Sequence, residues 1–161
     1  MKILYVTTFN QKLYDATGKN MIESFVRYKT EGDLLIAYED GLDKVIPHHR
    51  KFIFHDLETD EFLSSWLKDN EDIIPTSLGG TFDGEYELKA KFNQRASQWF
   101  RKIVALNKAM DLKKEYGAIV FLDSDTTINK SITASKIEEI FDGQSMFYHL
   151  GPYRKESGTG I

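Results

Sequence analysis

The sequence predicts an α/β domain in which helices cover both faces of a mixed, mainly parallel sheet. Short apolar runs alternate along the chain with segments of helical spacing, and this order is typical of such a sheet. Residues 118–122 are consecutively apolar, as in a strand that is covered on both faces and is therefore parallel. The 161 residues, of which 41% are hydrophobic, suffice for one domain with its own core.

The first half of the chain predicts three strands and two helices. The opening apolar run ends in polar threonines, as a buried strand does where it leaves the sheet. Apolar residues at helical spacing follow Thr17, and acidic residues in a first turn mark the second helix. The predicted elements are a strand at 1–9, a loop at 14–18, a helix from about 17 to 28, strands at 34–38 and 51–55, and a helix at 60–67.

The second half predicts a long helix between a glycine-rich loop and a buried strand. An apolar stripe at spacings of four, three and four residues defines this helix and should face the core; it consists of Trp99, Ile103, Leu106 and Met110. On a helical wheel Lys102 flanks this stripe, whereas Arg101 points nearly opposite to it. The remaining predicted elements are a loop at 75–84, strands at 118–122 and 145–150, and a helix at 133–141.

Composition excludes several classes of function. The formal charge of −4 argues against a nucleic-acid-binding domain, which needs a basic surface. The absence of cysteine excludes disulfides, thiolate metal sites and cysteine nucleophiles. The apolar run at 3–6 is too short for a signal peptide or a membrane span. We therefore expect a cytoplasmic protein without a membrane span.

Two aspartates follow the predicted strand at 118–122. Ligands of open α/β sheets bind outside the carboxyl ends of the strands, where Asp123 and Asp125 would lie. Two neighbouring carboxylates repel each other unless a cation lies beside them, and oxygen ligands suit Mg²⁺ or Mn²⁺. The pair therefore predicts a divalent cation that holds a diphosphate. The alternative is an ordinary turn, in which Asp and Ser are common residues.

A longer pattern surrounds the aspartate pair. The long helix carries Trp99, Lys102 and the dipeptide Ala105-Leu106 about twenty residues before the strand that ends in Asp123-Ser124-Asp125. The start of the chain, Val6-Thr7-Thr8-Phe9-Asn10, is followed by Tyr14. Together these features resemble the nucleotide-sugar-dependent glycosyltransferases of the GT-A fold, and the resemblance covers nearly the whole chain in order.

The resemblance implies a role for each matching residue of the second half. Asp125 would bind Mn²⁺ or Mg²⁺ directly, and Asp123 would contact the ribose, the sugar hydroxyls or the ion through water. Lys102 would approach the donor or the aspartate pair from its helix. The residues alone favour the alternative, a lysine that extends along the edge of an apolar stripe.

The resemblance also implies that the first strand binds the nucleotide. Thr7, Thr8, Phe9 and Tyr14 would surround the base and ribose of a donor that we expect to be a UDP-sugar. The alternative is a plain strand end with a core aromatic residue. The acceptor and the catalytic base are not identified by the sequence.

The resemblance also bears on the domain and on the reaction. We expect residues 1–161 to be a single nucleotide-sugar-binding domain that is incomplete at its C-terminus, because GT-A domains generally continue further. The expected activity is metal-dependent sugar transfer from a UDP-sugar to an acceptor hydroxyl, with the cation stabilising the leaving diphosphate.

Two other functions remain open. A non-catalytic module would bind the nucleotide-sugar without transferring it. A haloacid-dehalogenase-like phosphatase would use Asp123 as its nucleophile, since residues 123–127 also fit the Asp-x-Asp-x-Thr pattern of that family. Chain order argues against the phosphatase, whose motif normally opens the fold and precedes an acidic pair far downstream.

Overall fold

The computed structural model describes residues 1–71 and 85–143, with the backbone alone for residues 85–95. Two predicted elements, the loop at 75–84 and the strand at 145–150, lie outside the described residues. None of the described helices is long and apolar enough to cross a membrane.

The described strands form one four-stranded sheet in which every neighbouring pair is parallel. The strands are β1 (Ile3–Phe9), β2 (Asp33–Tyr38), β3 (Phe52–Asp56) and β4 (Ala118–Phe121). Their spatial order is β3-β2-β1-β4, so β1 lies in the interior of the sheet. The four predicted strands in this part of the chain and the predicted α/β class are confirmed.

The helices agree with the prediction except near the start of the chain. They are α1 (Gln11–Leu13), α2 (Lys19–Arg27), α3 (Glu61–Asp69), α4 (Glu85–Asp111) and α5 (Ala134–Phe141). The predicted loop at 14–18 is wrong, because Tyr14–Gly18 is a π-helical segment that joins α1 to α2. The Asn10 side chain accepts a hydrogen bond from the Leu13 amide at 2.9 Å and so starts this helical stretch early.

Side-chain caps fix the starts of two further helices. The Asp60 carboxylate accepts the Leu63 amide at 2.9 Å at the first turn of α3. Thr133 accepts the Lys136 amide at 3.3 Å at the start of α5. Each cap satisfies a backbone donor that the helix itself leaves without a partner.

Helices cover both faces of the sheet, as predicted, and alternate residues of β1 divide the core into two layers. Ile3, Tyr5 and Phe9 point to the layer that contains α2 and α5, where Met21, Phe25 and Ile137 are also buried. Leu4 and Val6 point to the layer that contains α3 and α4. Alternation of side chains along a strand produces this division.

The helix α4 packs against the sheet with the face opposite to the predicted one. Its buried residues are Val104, Ala105 and Ala109, which contact the layer built on Leu4 and Val6. The predicted stripe is on the outward face, with relative exposures of 49% for Trp99, 52% for Ile103, 36% for Leu106 and 49% for Met110. The prediction was wrong because small alanines let the helix lie close to the sheet, although they give a weaker hydrophobic pattern than large residues.

Candidate functional site

A cleft of about 670 Å³ opens at the carboxyl ends of the strands. It lies where the chain order of the sheet reverses, between β1, which continues to β2 on one side, and β4 on the other. Ligands of open parallel sheets bind at such a reversal point. The cleft is bordered by residues that follow β1, β2 and β4 and by the middle of α4.

Asp123 and Asp125 border this cleft directly after β4. The Leu122 amide donates to the Val6 carbonyl at 2.8 Å, so the pairing with β1 continues to the residue before the aspartates. The Thr126 amide then donates to the Asp123 carbonyl at 2.9 Å and closes a turn. The alternative reading as a turn is thus correct for the backbone, while both carboxylates are exposed at the cleft.

Lys102 reaches the aspartate pair from α4. Its ammonium forms an ion pair with Asp123 Oδ1 and lies 5.5 Å from the centre of the Phe121 ring. The Lys102 side chain is 39% exposed and that of Asp123 is 55% exposed, so water reaches both partners. The structure therefore brings together three residues that the resemblance singled out.

Arg101 also borders the cleft, which corrects the expectation that it points away. Its Nε donates to Glu39 Oε2 at 2.8 Å, and another guanidinium nitrogen donates to the Ser97 carbonyl at 2.9 Å. The helical wheel had been oriented by the apolar stripe, and the stripe lies on the outward face. Once α4 is turned to its observed face, Arg101 points toward the end of β2.

The turns that follow β1 and β2 are bonded to each other at the rim of the cleft. The Glu39 amide donates to the Phe9 carbonyl at 3.0 Å, and the Gln11 amide donates to Asp40 Oδ2 at 2.8 Å. Asp40 has a left-handed backbone with φ of 60°, which a short polar side chain tolerates. These bonds hold Glu39 in place beside Arg101.

The residues predicted to surround the nucleotide are divided between two places. Thr8 borders the cleft with a half-buried side chain, whereas Phe9 borders it while its ring is buried in the layer of α2 and α5. Thr7 is fully buried and Tyr14 is nearly so, and neither borders the cleft. Tyr14 packs in the layer of α2 and α5, with its ring centre 6.2 Å from that of Phe9, and burial raises the pKa of its hydroxyl. Their positions correspond to the alternative reading of strand residue and core aromatic.

The aspartate pair suits a cation that takes further ligands from a bound molecule. Among the described residues no group of three or more His, Asp or Glu side chains is arranged to hold a metal ion. The donors that are present, two exposed carboxylates on an open cleft, match Mg²⁺ or Mn²⁺ bound by one or two carboxylates together with substrate phosphates. The chemistry of the donor set is therefore compatible with the predicted cation.

Sequence reasoning missed Glu39, Asp40 and Arg101 as cleft residues. The first two follow β2 directly, so the rule that located Asp123 after β4 would have located them as well. Arg101 could not be assigned because its direction depends on which face of α4 is buried.

Comparisons with known proteins identify no relative of this chain. No protein family, curated protein or solved structure matches the chain. The fold defines a broad class: an α/β protein whose described strands form an all-parallel sheet, consistent with a Rossmann-like arrangement, with a polar cleft at the reversal of strand order.

Proposed function

We propose that the chain binds a nucleoside-diphosphate sugar, with UDP as the expected nucleotide, and that it acts as a metal-dependent glycosyltransferase of the GT-A type. The observation that carries the proposal is the meeting of Asp123, Asp125 and Lys102 on one cleft at the carboxyl ends of parallel strands. This is where a diphosphate and its cation would be expected in such a sheet.

Electrostatics of the cleft support a ligand that carries both negative charge and a cation. Asp125 offers an exposed carboxylate beside Asp123, which suits a divalent ion. When bound, the ion would act as a Lewis acid on the leaving diphosphate. Lys102 and Arg101 are cationic side chains on the same wall and favour binding of phosphate oxygens.

The base and ribose would lie against the end of β1. Thr8 borders the cleft there and provides a hydroxyl, and Phe9 borders it without offering its ring, which is buried in the layer of α2 and α5. The side chains of Thr7, Phe9 and Tyr14 have no proposed contact with the nucleotide, because all three are buried in the core.

Titration calorimetry of UDP, with and without Mn²⁺, tests the donor site. The wild-type chain should bind UDP in a Mn²⁺-dependent manner, and Asp125→Asn should lose at least about tenfold in affinity, or about 1.4 kcal/mol. Asp111→Asn is the matched control, because Asp111 is an exposed aspartate at the end of α4 that does not border the cleft. Absence of Mn²⁺-dependent binding in the wild type would overturn the proposal.

Product analysis separates transfer from binding and from the phosphatase alternative. A transferase should release UDP from a UDP-sugar, by transfer to an acceptor or slowly to water, and Asp125→Asn should abolish that release. Donor binding without any turnover would identify a non-catalytic module. Hydrolysis of a simple phosphate ester that Asp123→Asn abolishes would instead favour the phosphatase.

A further inference from the structure

We propose that Lys102 is the resident counter-cation of Asp123, and that a divalent ion binds at Asp123 and Asp125 by displacing its ammonium, which then turns to the diphosphate. This inference rests on the proposed function and deepens it. It assigns Lys102 two successive partners, the carboxylate before the ion binds and a phosphate afterwards.

The geometry supports an exchange at Asp123. The Lys102 ammonium contacts Asp123 Oδ1, so a positive charge already neutralises one of the two carboxylates that would bind the ion. Asp125 lies two residues further on the same rim of the cleft. An ion held by both carboxylates would therefore meet a positive charge already in contact with one of its ligands.

The ion pair is weak enough to be exchanged. Ion pairs between exposed side chains contribute little stability, because water solvates both charges and the long lysine side chain loses conformational freedom. Lys102 and Asp123 are 39% and 55% exposed. The neighbouring pair differs, since Arg101 is 24% and Glu39 18% exposed and Arg101 is additionally bonded to the Ser97 carbonyl.

The charges along the cleft explain why the ammonium would move toward the diphosphate. The cleft-lining residues that the structure describes carry four carboxylates and three cationic side chains: Glu39, Asp40, Asp123, Asp125, Lys12, Arg101 and Lys102. A divalent ion at the aspartates makes the local charge positive and repels Lys102. A diphosphate restores a negative partner for it in the same cleft.

Removing the charge of Lys102 should have opposite effects on the two ligands. Lys102→Met should bind Mn²⁺ alone about three- to tenfold more tightly than the wild type, because a competing positive charge beside the site is lost. The same variant should bind UDP in the presence of Mn²⁺ about threefold or more weakly, because a phosphate partner is lost. A purely structural role would not reverse sign between the two ligands.

The affinity for Mn²⁺ alone is measured by electron paramagnetic resonance, which detects free Mn²⁺. The affinity for UDP is measured by calorimetry at saturating Mn²⁺. Lys108→Met is the matched control, because Lys108 is on the same helix and pairs with Asp111 at 3.7 Å on an exposed surface away from the cleft. It should change neither affinity. Lys102→Arg keeps the positive charge and should therefore bind Mn²⁺ as weakly as the wild type does.

The outcomes distinguish this inference from the proposed function. Tighter Mn²⁺ binding together with weaker UDP binding in Lys102→Met supports the exchange. Unchanged or weaker Mn²⁺ binding in that variant, with Mn²⁺-dependent UDP binding intact in the wild type, overturns the exchange and leaves the proposed function standing. Absence of free Mn²⁺ binding in both the wild type and Lys102→Met overturns the exchange, and it overturns the proposed function as well only when Mn²⁺-dependent binding of UDP is also absent.

Discussion

The two ends of the sheet use the same kinds of side chain in opposite ways. At the amino end, Asp33 accepts a hydrogen bond from the Tyr116 hydroxyl at 2.6 Å and forms an ion pair with the Lys2 ammonium at 3.0 Å. The Lys2 ammonium also lies 4.3 Å from the centre of the Tyr116 ring, so the three side chains form a closed cluster. At the carboxyl end, Asp123 and Asp125 are exposed beside an open cleft.

The comparison shows how the same chemistry can hold a fold together or prepare it for a ligand. Burial alone would raise the pKa of Asp33, but the bonds from Tyr116 and Lys2 outweigh burial and hold the pKa below its usual value. The protein itself thus provides the partners of that carboxylate. The carboxylates of the cleft are instead solvated, and a cation from solution can reach them.

The largest expected loss of stability comes from substituting Gly32, at the amino end of the sheet. Its φ is +115°, and an added Cβ would lie 2.5 Å from the Ile3 carbonyl oxygen. Gly32→Ala should therefore lower the free energy of unfolding by about 2–4 kcal/mol, measured by urea denaturation. Gly143→Ala is the control, with φ of +74° and no atom of the described residues within 4 Å of its added Cβ, and should lose only about 1–2 kcal/mol. Equal losses in both variants would contradict the clash with Ile3.

The second effect concerns the half-buried ion pair of the carboxyl end. Arg101→Met removes both the ion pair to Glu39 and the bond to the Ser97 carbonyl, and leaves a half-buried carboxylate without its cation. We expect a loss of about 1–2 kcal/mol in the free energy of unfolding. Glu39→Gln and the double variant complete a cycle, in which additive losses would show that the two side chains are not coupled.

The third effect is a pH dependence that the closed cluster should produce. Because the pKa of Asp33 is lowered in the folded state, its contribution to stability is present above the unfolded pKa, near 4, and disappears as the pH falls through the folded pKa. Asp33→Asn should be less stable than the wild type by at most about 1 kcal/mol at pH 7, since Asp33 is partly exposed. Urea denaturation of both proteins at pH 7 and pH 3 checks this. The difference in free energy of unfolding between wild type and Asp33→Asn should be smaller at pH 3, and an unchanged difference would contradict the prediction.

The smallest effect sharpens the contrast between adjacent residues of α4. Lys102→Met should change the free energy of unfolding by less than about 0.5 kcal/mol, because its ion pair with Asp123 is solvent-exposed. Thermal and urea denaturation of Lys102→Met and Arg101→Met, carried out in parallel, compare the two losses of stability. A loss as large as that of Arg101→Met would mean that Lys102 is part of the framework of the fold.

The sequence was sufficient for the strands and insufficient for the orientation of α4. The described strands follow runs of apolar and β-branched residues, whose position along the chain needs no knowledge of the fold. The buried face of α4 depends instead on how closely the helix approaches the sheet. The alanines at 105 and 109 permit that approach, while the more hydrophobic Ile103 and Met110 face outward.

The residues of the candidate site could be predicted only where a local sequence pattern marks them. Asp123 and Asp125 were found because they end a strand, and Lys102 because of the resemblance. The pairing of Arg101 with Glu39 joins α4 to the end of β2, and no local pattern contains that proximity. The separation of Thr7 from Thr8 follows from strand alternation, but the face that carries the cleft is set by where α4 packs.

The central position of β1 has a consequence for the order in which the protein is built during synthesis. Leu4 pairs with Asp33 and Leu34 with Phe52, so three strands can associate early. Ile3 pairs with Ala118, and this contact must wait until most of the chain has left the ribosome. A nascent chain can therefore pair β1, β2 and β3 before β4 arrives, and the cleft between β1 and β4 forms only after β4 has been added.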